Sequence, residues 1–117
     1  ALGDPSEKVR LNAIESLVEL EAIEAVPSLM AVVQDDESDL VKRDAVDALG
    51  RMKDPQSVPV LIGYVEGRLD TRPPLNAIWA LGFIGDSRAL PILAKLREHE
   101  DPYVAFHANE ALRNLRP

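Results

Sequence analysis

The sequence predicts an all-α repeat protein of about three and a half helical hairpins, which makes seven helices. Proline recurs with a period of 32 residues, at Pro27, Pro59 and Pro91. Alanine and leucine recur with the same period, and the fourth copy of each follows 31 residues after the third: Ala13, Ala45, Ala77 and Ala108; Leu17, Leu49, Leu81 and Leu112. An internal period of about 20–50 residues is typical of repeat architectures, so each unit should be one supersecondary element.

The first helix of each unit, helix A, carries apolar residues at helical spacing. In the first unit these are Val9, Ala13, Ile14, Leu17 and Leu20, which share one helix face. The pattern predicts A helices near residues 5–20, 38–52, 73–84 and 102–115. Aspartate directly before proline predicts capped helix starts at Asp4-Pro5, Asp54-Pro55 and Asp101-Pro102, and Asp4 with Glu7 has the spacing of a capping box.

The second helix, helix B, begins at the repeated proline. Each copy has an apolar residue, proline, one variable residue and two apolar residues: Val26-Pro27-Ser28-Leu29-Met30, Val58-Pro59-Val60-Leu61-Ile62 and Leu90-Pro91-Ile92-Leu93-Ala94. Proline is tolerated in the first turn of a helix, where its missing N–H would have no partner anyway. This predicts B helices near residues 24–34, 56–66 and 88–98.

Glycine marks two kinds of position in this pattern. Gly85 before Asp86 predicts a left-handed helix end followed by a new cap. Gly50 and Gly82 fall inside A helices, where each costs about 1 kcal/mol relative to alanine. We expect a close approach between helices at that column to compensate.

Four short segments carry a family resemblance: Val9-Arg10, Ala48-Leu49-Gly50, Ala80-Leu81-Gly82-Phe83-Ile84-Gly85-Asp86 and Ala89-Leu90-Pro91. They resemble the HEAT-like repeats of the phycobilisome-lyase type, over nearly the whole chain. The resemblance implies a curved α-solenoid, in a right-handed stack, with A helices on the convex side and B helices lining the concave side. We expect residues 1–117 to form a single HEAT-like repeat domain that is a fragment of a longer array, because the last A helix lacks a B partner.

Composition argues against several functional classes. The formal charge of −7 disfavours nucleic acid, since phosphate binding requires clustered Lys and Arg. No apolar run approaches the roughly 18 residues of a membrane span, and no signal peptide is recognisable, so we expect a cytoplasmic protein without membrane contact. Residues 1–58 carry 13 acids and 6 bases, whereas residues 59–117 carry 7 of each together with all five aromatic residues. The two halves should therefore present different surfaces.

The third A helix departs from its copies on one face. Leu75, Trp79 and Phe83 lie opposite its core stripe, at columns that are mostly charged or polar in other units: Leu11, Glu15 and Glu19; Arg43, Asp47 and Arg51; Phe106, Glu110 and Asn114. Equivalent positions of neighbouring A helices lie side by side, so Phe106 should adjoin Leu75. Large aromatic side chains concentrate at interfaces. We therefore predict that this aromatic patch on the convex side binds a protein partner or a second copy of the chain, with Tyr64 and Tyr103 as secondary contacts.

The concave side is less distinctive. Positions of helix B that we expect to face away from the core are Val60, Gly63, Tyr64, Ile92, Lys95 and Leu96, with Arg68, Arg72 and Arg97 nearby. Such a surface could hold a bilin, with arginines on its carboxylates. A groove for a peptide, or a surface without a ligand, is the interpretation we favour.

No motif predicts catalysis, a metal site or a cofactor. The only His-Glu dipeptide is His99-Glu100, and two histidines are too few for the di-iron sites that some HEAT-like proteins resemble. Asp35-Asp36-Glu37 with Asp39 lacks the spacing of a calcium loop, which favours a solvated capping turn. The predicted function is a non-catalytic scaffold or adaptor for protein–protein interaction. The alternative is a subunit or domain of a bilin lyase or a related chromophore-handling enzyme, on the family resemblance alone.

Overall fold

The computed structural model describes residues 1–69 and 72–116, and in those residues it is all-α, as predicted. Its α-helices are α1 (Glu7–Glu19), α2 (Val26–Asp35), α3 (Asp39–Met52), α4 (Val58–Glu66), α5 (Leu75–Ile84), α6 (Leu90–Arg97) and α7 (Pro102–Arg113). The predicted A helices correspond to α1, α3, α5 and α7, and the predicted B helices to α2, α4 and α6.

The helices stack in two layers. Each A helix packs on the next A helix, so α3 contacts α1 and α5, and α5 contacts α7. The B helices form the second layer, where α2 contacts α4. The core lies between the layers and consists of apolar residues that recur with the repeat, including the fully buried Leu29, Leu49, Leu61, Leu81 and Leu93. The arrangement is the predicted α-solenoid.

Each B helix is preceded by one turn of 3₁₀ helix, at Ile23–Ala25, Pro55–Ser57 and Ser87–Ala89. In the second unit the Asp54 carboxylate accepts a hydrogen bond from the Gln56 amide at 2.9 Å, which confirms Asp54 as a cap. In the third unit Asp86 accepts equivalently from Arg88, directly after Gly85, whose φ of 75° is the predicted left-handed helix end. The repeated proline then stands at the second position of the α-helix in each unit.

The predicted cap of the first A helix was wrong. Asp101 does cap α7, accepting from the Tyr103 amide at 2.9 Å, but the cap of α1 is Ser6 and not Asp4. Arg10 donates to the carbonyls of Asp4 and Pro5 at 2.9 and 3.0 Å, which holds those carbonyls outside the helix. The carboxylate of Glu7 accepts from the Ser38 hydroxyl, the cap of α3, so the predicted capping box with Asp4 does not form.

Close packing of the A helices depends on glycine, as predicted. A Cβ at Gly50 would lie 2.8 Å from the Cβ of Ala80, and a Cβ at Gly82 would lie 2.7 Å from the Cα of Ala111. Both distances are well inside van der Waals contact, so a larger residue would push neighbouring A helices apart. The missing side chains thus offset their helix-propensity cost by allowing α3, α5 and α7 to approach closely.

A buried ion pair ties α1 to the connection between α2 and α3. The guanidinium of Arg10 contacts both oxygens of Asp36, at 2.9 and 3.2 Å, and the two side chains are 8% and 6% exposed. Asp36 also accepts from the Ser38 amide at the start of α3. The acidic turn at 35–39 is therefore a capping turn as expected, but the expectation that it is wholly solvated was wrong for Asp36.

Replacing Gly82 with alanine should destabilise the protein by about 1–3 kcal/mol, because the added methyl group would meet the backbone of α7. The matched control is Gly63→Ala in α4, where an added Cβ has no atom within 4 Å. That control should gain up to about 1 kcal/mol from helix propensity. Urea denaturation gives both values, and equal effects of the two substitutions would contradict the close-packing explanation.

Asp36→Ala should cost about 3–5 kcal/mol, because it leaves the Arg10 guanidinium buried without its carboxylate. Asp35→Ala changes the neighbouring, exposed aspartate and should stay within about 0.5 kcal/mol of the wild type. Thermal and urea unfolding of the two variants make the comparison. A loss no larger for Asp36 than for Asp35 would show that the pair does not hold this junction.

Candidate interaction surface

The outward columns of the A helices carry the aromatic residues that the sequence singled out. Trp79 and Phe83 on α5 are 46% and 41% exposed. Their rings stack with centroids 4.8 Å apart and an angle of 17° between the planes. Side chains four residues apart meet on one helix face, and an aromatic pair in this geometry contributes about 0.5–1.5 kcal/mol beyond its buried area. The pair is therefore held in place before anything binds to it.

A cation covers part of this pair from the preceding repeat. The Nζ of Lys53 lies 4.5 Å from the centroid of the Phe83 ring. Lys53 ends α3 in the left-handed conformation, with a φ of 57°, an uncommon state for a residue with a side chain. A cation above an aromatic face is attracted by the ring quadrupole, by about 0.5–1 kcal/mol at an exposed site.

The last helix extends the aromatic surface. Tyr103 and Phe106 are both exposed, and each packs edge-on against His107, with centroid distances of 4.8 and 5.4 Å. His107 also lines a small cleft between α5 and α7, of about 70 Å³, together with Trp79 and Phe83. The cleft places His107 of α7, with which Tyr103 and Phe106 are in contact, beside the stacked pair of α5. We call Trp79, Phe83, Tyr103, Phe106 and His107 the aromatic face.

Two residues of the predicted patch lie elsewhere. Leu75 is partly buried against the core and lines a groove next to Tyr64, so its expected contact with Phe106 stays a prediction. Tyr64 is only 9% exposed, and the guanidinium carbon of Arg68 lies over its ring, 3.7 Å from the ring centroid. The expectation that Tyr64 faces away from the core was wrong, because Tyr64 is one of the buried residues of the hydrophobic core.

The expected concave surface needs a similar correction at α6. Ile92 and Leu96 are buried in the core, 6% and 1% exposed, and the helix α6 that carries them packs against α7. Val60 and Gly63 do line an open depression beside Tyr64, and Lys95 and Arg97 are exposed on α6. The B helices therefore offer a smaller free surface than the pattern indicated.

Charged side chains replace the aromatic ones toward the start of the chain, where three acids and Arg51 line the space between α1 and α3. Asp44 and Asp47 on α3 line a cleft with Glu15 on α1. Burial, followed by repulsion from Asp47 and Glu15, raises the pKa of the Asp44 carboxyl above its ordinary value of 3.8. The repeat thus presents one geometry with two chemistries, acidic between α1 and α3 and aromatic between α5 and α7.

Sequence reasoning missed two members of this surface. His107 was not among the predicted contacts, although its spacing of four from Tyr103 and its position next to Phe106 could have indicated an aromatic contact. Lys53 had no such signal, because its position over Phe83 follows from the left-handed end of α3.

In residues 1–69 and 72–116 no three His, Asp or Glu side chains converge in a way that would ligate a metal ion. No helix in the same described part of the chain has the length and apolar character required to cross a membrane.

The fold and this surface define a class: a repeat protein of stacked helical hairpins that exposes variable columns on an invariant frame. The family model for HEAT repeats matches residues 1–72, and the model for the PBS lyase HEAT-like repeat matches residues 74–99. The first match covers more than half of the chain, so the chain belongs to the HEAT repeat family, whose repeats commonly mediate protein interactions. No curated protein matches the chain.

Asp44→Asn should stabilise the protein at neutral pH, where the carboxylate is charged and disfavoured by burial and by Asp47. A raised folded-state pKa means that the stability contributed by protonation is present below 3.8 and is lost as pH rises through the folded pKa. The gain from the substitution should therefore shrink at acid pH. Urea denaturation at both pH values tests this, with Glu98→Gln as a control at an exposed site; a gain that is independent of pH would contradict it.

Proposed function

We propose that this chain is a non-catalytic protein-interaction scaffold that binds another protein surface through the aromatic face. The observation that carries the proposal is the stacked, exposed pair of Trp79 and Phe83 at columns where the neighbouring repeats have charged or polar residues. Folding alone does not require aromatic residues at these positions, because the first two units have charged residues there.

The composition of the aromatic face supports protein binding. Tryptophan and tyrosine are enriched among the residues that contribute most to binding energy at interfaces. The stacked pair is held in place by its own contact and by Lys53, so little rotamer freedom would be lost when a partner covers it. The groups on this face offer contact area and no pairing of nucleophile and base, which is why the proposed role is non-catalytic.

Trp79→Glu with Phe83→Glu should abolish association by placing two carboxylates at the centre of the interface. The expected loss is at least about 30-fold in affinity for each hot-spot residue. Sedimentation velocity of the wild type reports whether the partner is a second copy. If the wild type is monomeric, isothermal titration calorimetry with a purified partner measures the affinity instead.

The control is Leu20→Glu with Leu90→Glu, which adds the same charge at two exposed leucines outside the aromatic face. This variant should associate like the wild type, and circular dichroism should show that both variants stay folded. Unchanged mass, solubility and partner binding in the Trp79/Phe83 variant would sink the proposal.

The chromophore-handling alternative stays a prediction, and the match of residues 74–99 to the PBS lyase HEAT-like repeat model is what favours it. It requires a shift of a bilin absorbance band on mixing that depends on Tyr64 or Arg68.

A further inference from the structure

The connection between α4 and α5 is longer than its counterparts. It spans residues 67–74, eight residues, whereas α2 and α3 are joined by residues 36–38 and α6 and α7 by residues 98–101. The repeat period is nevertheless unchanged, because Ala45 and Ala77 keep the spacing of 32. The extra length comes from α5 itself, which begins 36 residues after α3 begins and so lacks a first turn.

Two prolines account for the missing turn. Pro73 and Pro74 stand where α3 has its helical residues Val41 and Lys42. The residue before a proline is disfavoured in helical conformation, so Pro74 disfavours a helical Pro73. Pro74 itself is extended, with a ψ of 109°. Pro74 is the residue that precedes α5, and Asn76 ties the start of α5 to α3 by donating to the carbonyl of Arg43 at 3.2 Å.

The space beside the first turn of α3 is left open as a groove of about 580 Å³. Its apolar side is formed by Leu40, Pro73, Pro74, Leu75 and Tyr64, and its polar side includes Arg43, Arg68 and Arg72. We call this the arginine groove. Its volume falls within the range of about 300–1,000 Å³ that is typical of ligand sites.

The charges at this junction differ from those at the first junction, because a cation replaces the acidic member of the ion pair. One period after Arg10 and Asp36, which form the buried ion pair, stand Lys42 and Arg68. Two cations cannot repeat that pair. Arg68 instead stacks on Tyr64 and donates to its carbonyl at 3.1 Å, and it lines a second depression together with Lys42.

Among the described residues that line the arginine groove, three are arginines and one, Asp39, is acidic. Arg43 and Arg72 are exposed. The described lining of the groove therefore carries more positive than negative side chains, on a chain whose formal charge is −7. An arginine guanidinium pairs with a carboxylate through two parallel hydrogen bonds, which makes a carboxylate-bearing ligand the complementary one.

We propose that the arginine groove binds an extended acidic segment of a partner protein, with carboxylates on Arg43 and Arg72 and apolar side chains between Leu40, Leu75 and the two prolines. The proposal adds a second site to the proposed interaction scaffold and rests on that function only in taking the ligand to be protein.

A peptide fits these observations better than nucleic acid does. Nucleic-acid binding draws on many phosphate contacts along a track, typically about 6–10. The groove supplies a few cations in one place, which suits a short acidic segment better than a long phosphate track. Half of the groove is apolar and suits side chains such as leucine, which a phosphate backbone does not offer.

The probe is a short fluorescein-labelled peptide in which glutamate alternates with leucine, measured by fluorescence polarisation against the whole chain. It should bind with an affinity that falls as salt rises, because its contacts are charge pairs. Arg43→Glu with Arg72→Glu should weaken binding at least tenfold. A peptide with lysine in place of glutamate should not bind.

The control variant is Arg97→Glu with Arg113→Glu, which makes the same change in net charge at two exposed arginines outside the groove. It should retain the wild-type affinity for the acidic peptide. Absence of binding, equal loss in the two double variants, or tighter binding of a labelled single-stranded oligonucleotide than of the peptide would each overturn the proposal.

A third variant separates this site from the aromatic face. Trp79→Glu with Phe83→Glu should leave binding of the acidic peptide unchanged, because neither residue lines the arginine groove. If the peptide binds but the aromatic face has no partner, the proposed scaffold function fails and the groove stands. If this variant also loses the peptide, the groove is not a separate site.

Discussion

The close approach of neighbouring A helices is the constraint on which the remaining structure depends. Gly50 meets Ala80, and Gly82 meets Ala111, at distances that exclude any side chain beyond hydrogen on the glycine. Helices this close present their outward columns as adjacent rows, so that residues one repeat apart share one surface. The stack explains why Lys53 at the end of α3 reaches Phe83 on α5, and why His107 on α7 lines a cleft with Trp79. A surface of different chemistry thereby results from single substitutions in a column, with no change in the frame.

The junctions between helices and their connections also differ from one repeat to the next while the frame stays the same. At the first junction Arg10 and Asp36 form a buried ion pair, which fixes the turn before α3. At the second junction the corresponding residues are both cationic and two prolines remove the first turn of α5. The stack tolerates this loss because Ala77, Ile78 and Leu81 still fill the core. The core and the surface chemistry thus depend on different positions of one repeat, which allows the second unit to have a cationic groove without losing its fold.

The sequence predicted most of the frame because the frame is periodic. The columns of Pro27 and Ala13 located every helix, and the glycine column predicted the close approach. The predictions that were wrong concern local contacts. Asp4 does not cap α1, because the helix begins after Ser6 and the carbonyls of Asp4 and Pro5 accept hydrogen bonds from the Arg10 guanidinium. The exposed positions of Trp79 and Phe83 were predictable as breaks in a column. The burial of Tyr64 and Leu96 was not predictable in this way, because it depends on which other parts of the chain pack against α4 and α6. The arginine groove combines residues of α3, α4 and α5, and no single stretch of sequence shows it.

The central claim is that the aromatic face binds a protein. The most direct measurement places the photo-reactive residue p-benzoylphenylalanine at position 79 in the intact chain, and at position 90 for comparison, and irradiates each protein in extract of the cells that produce it. The account predicts one cross-linked product from position 79, which disappears when Phe83→Glu is added and does not form from position 90. Equal products from both positions, or a product from position 79 that persists after Phe83→Glu, would contradict it.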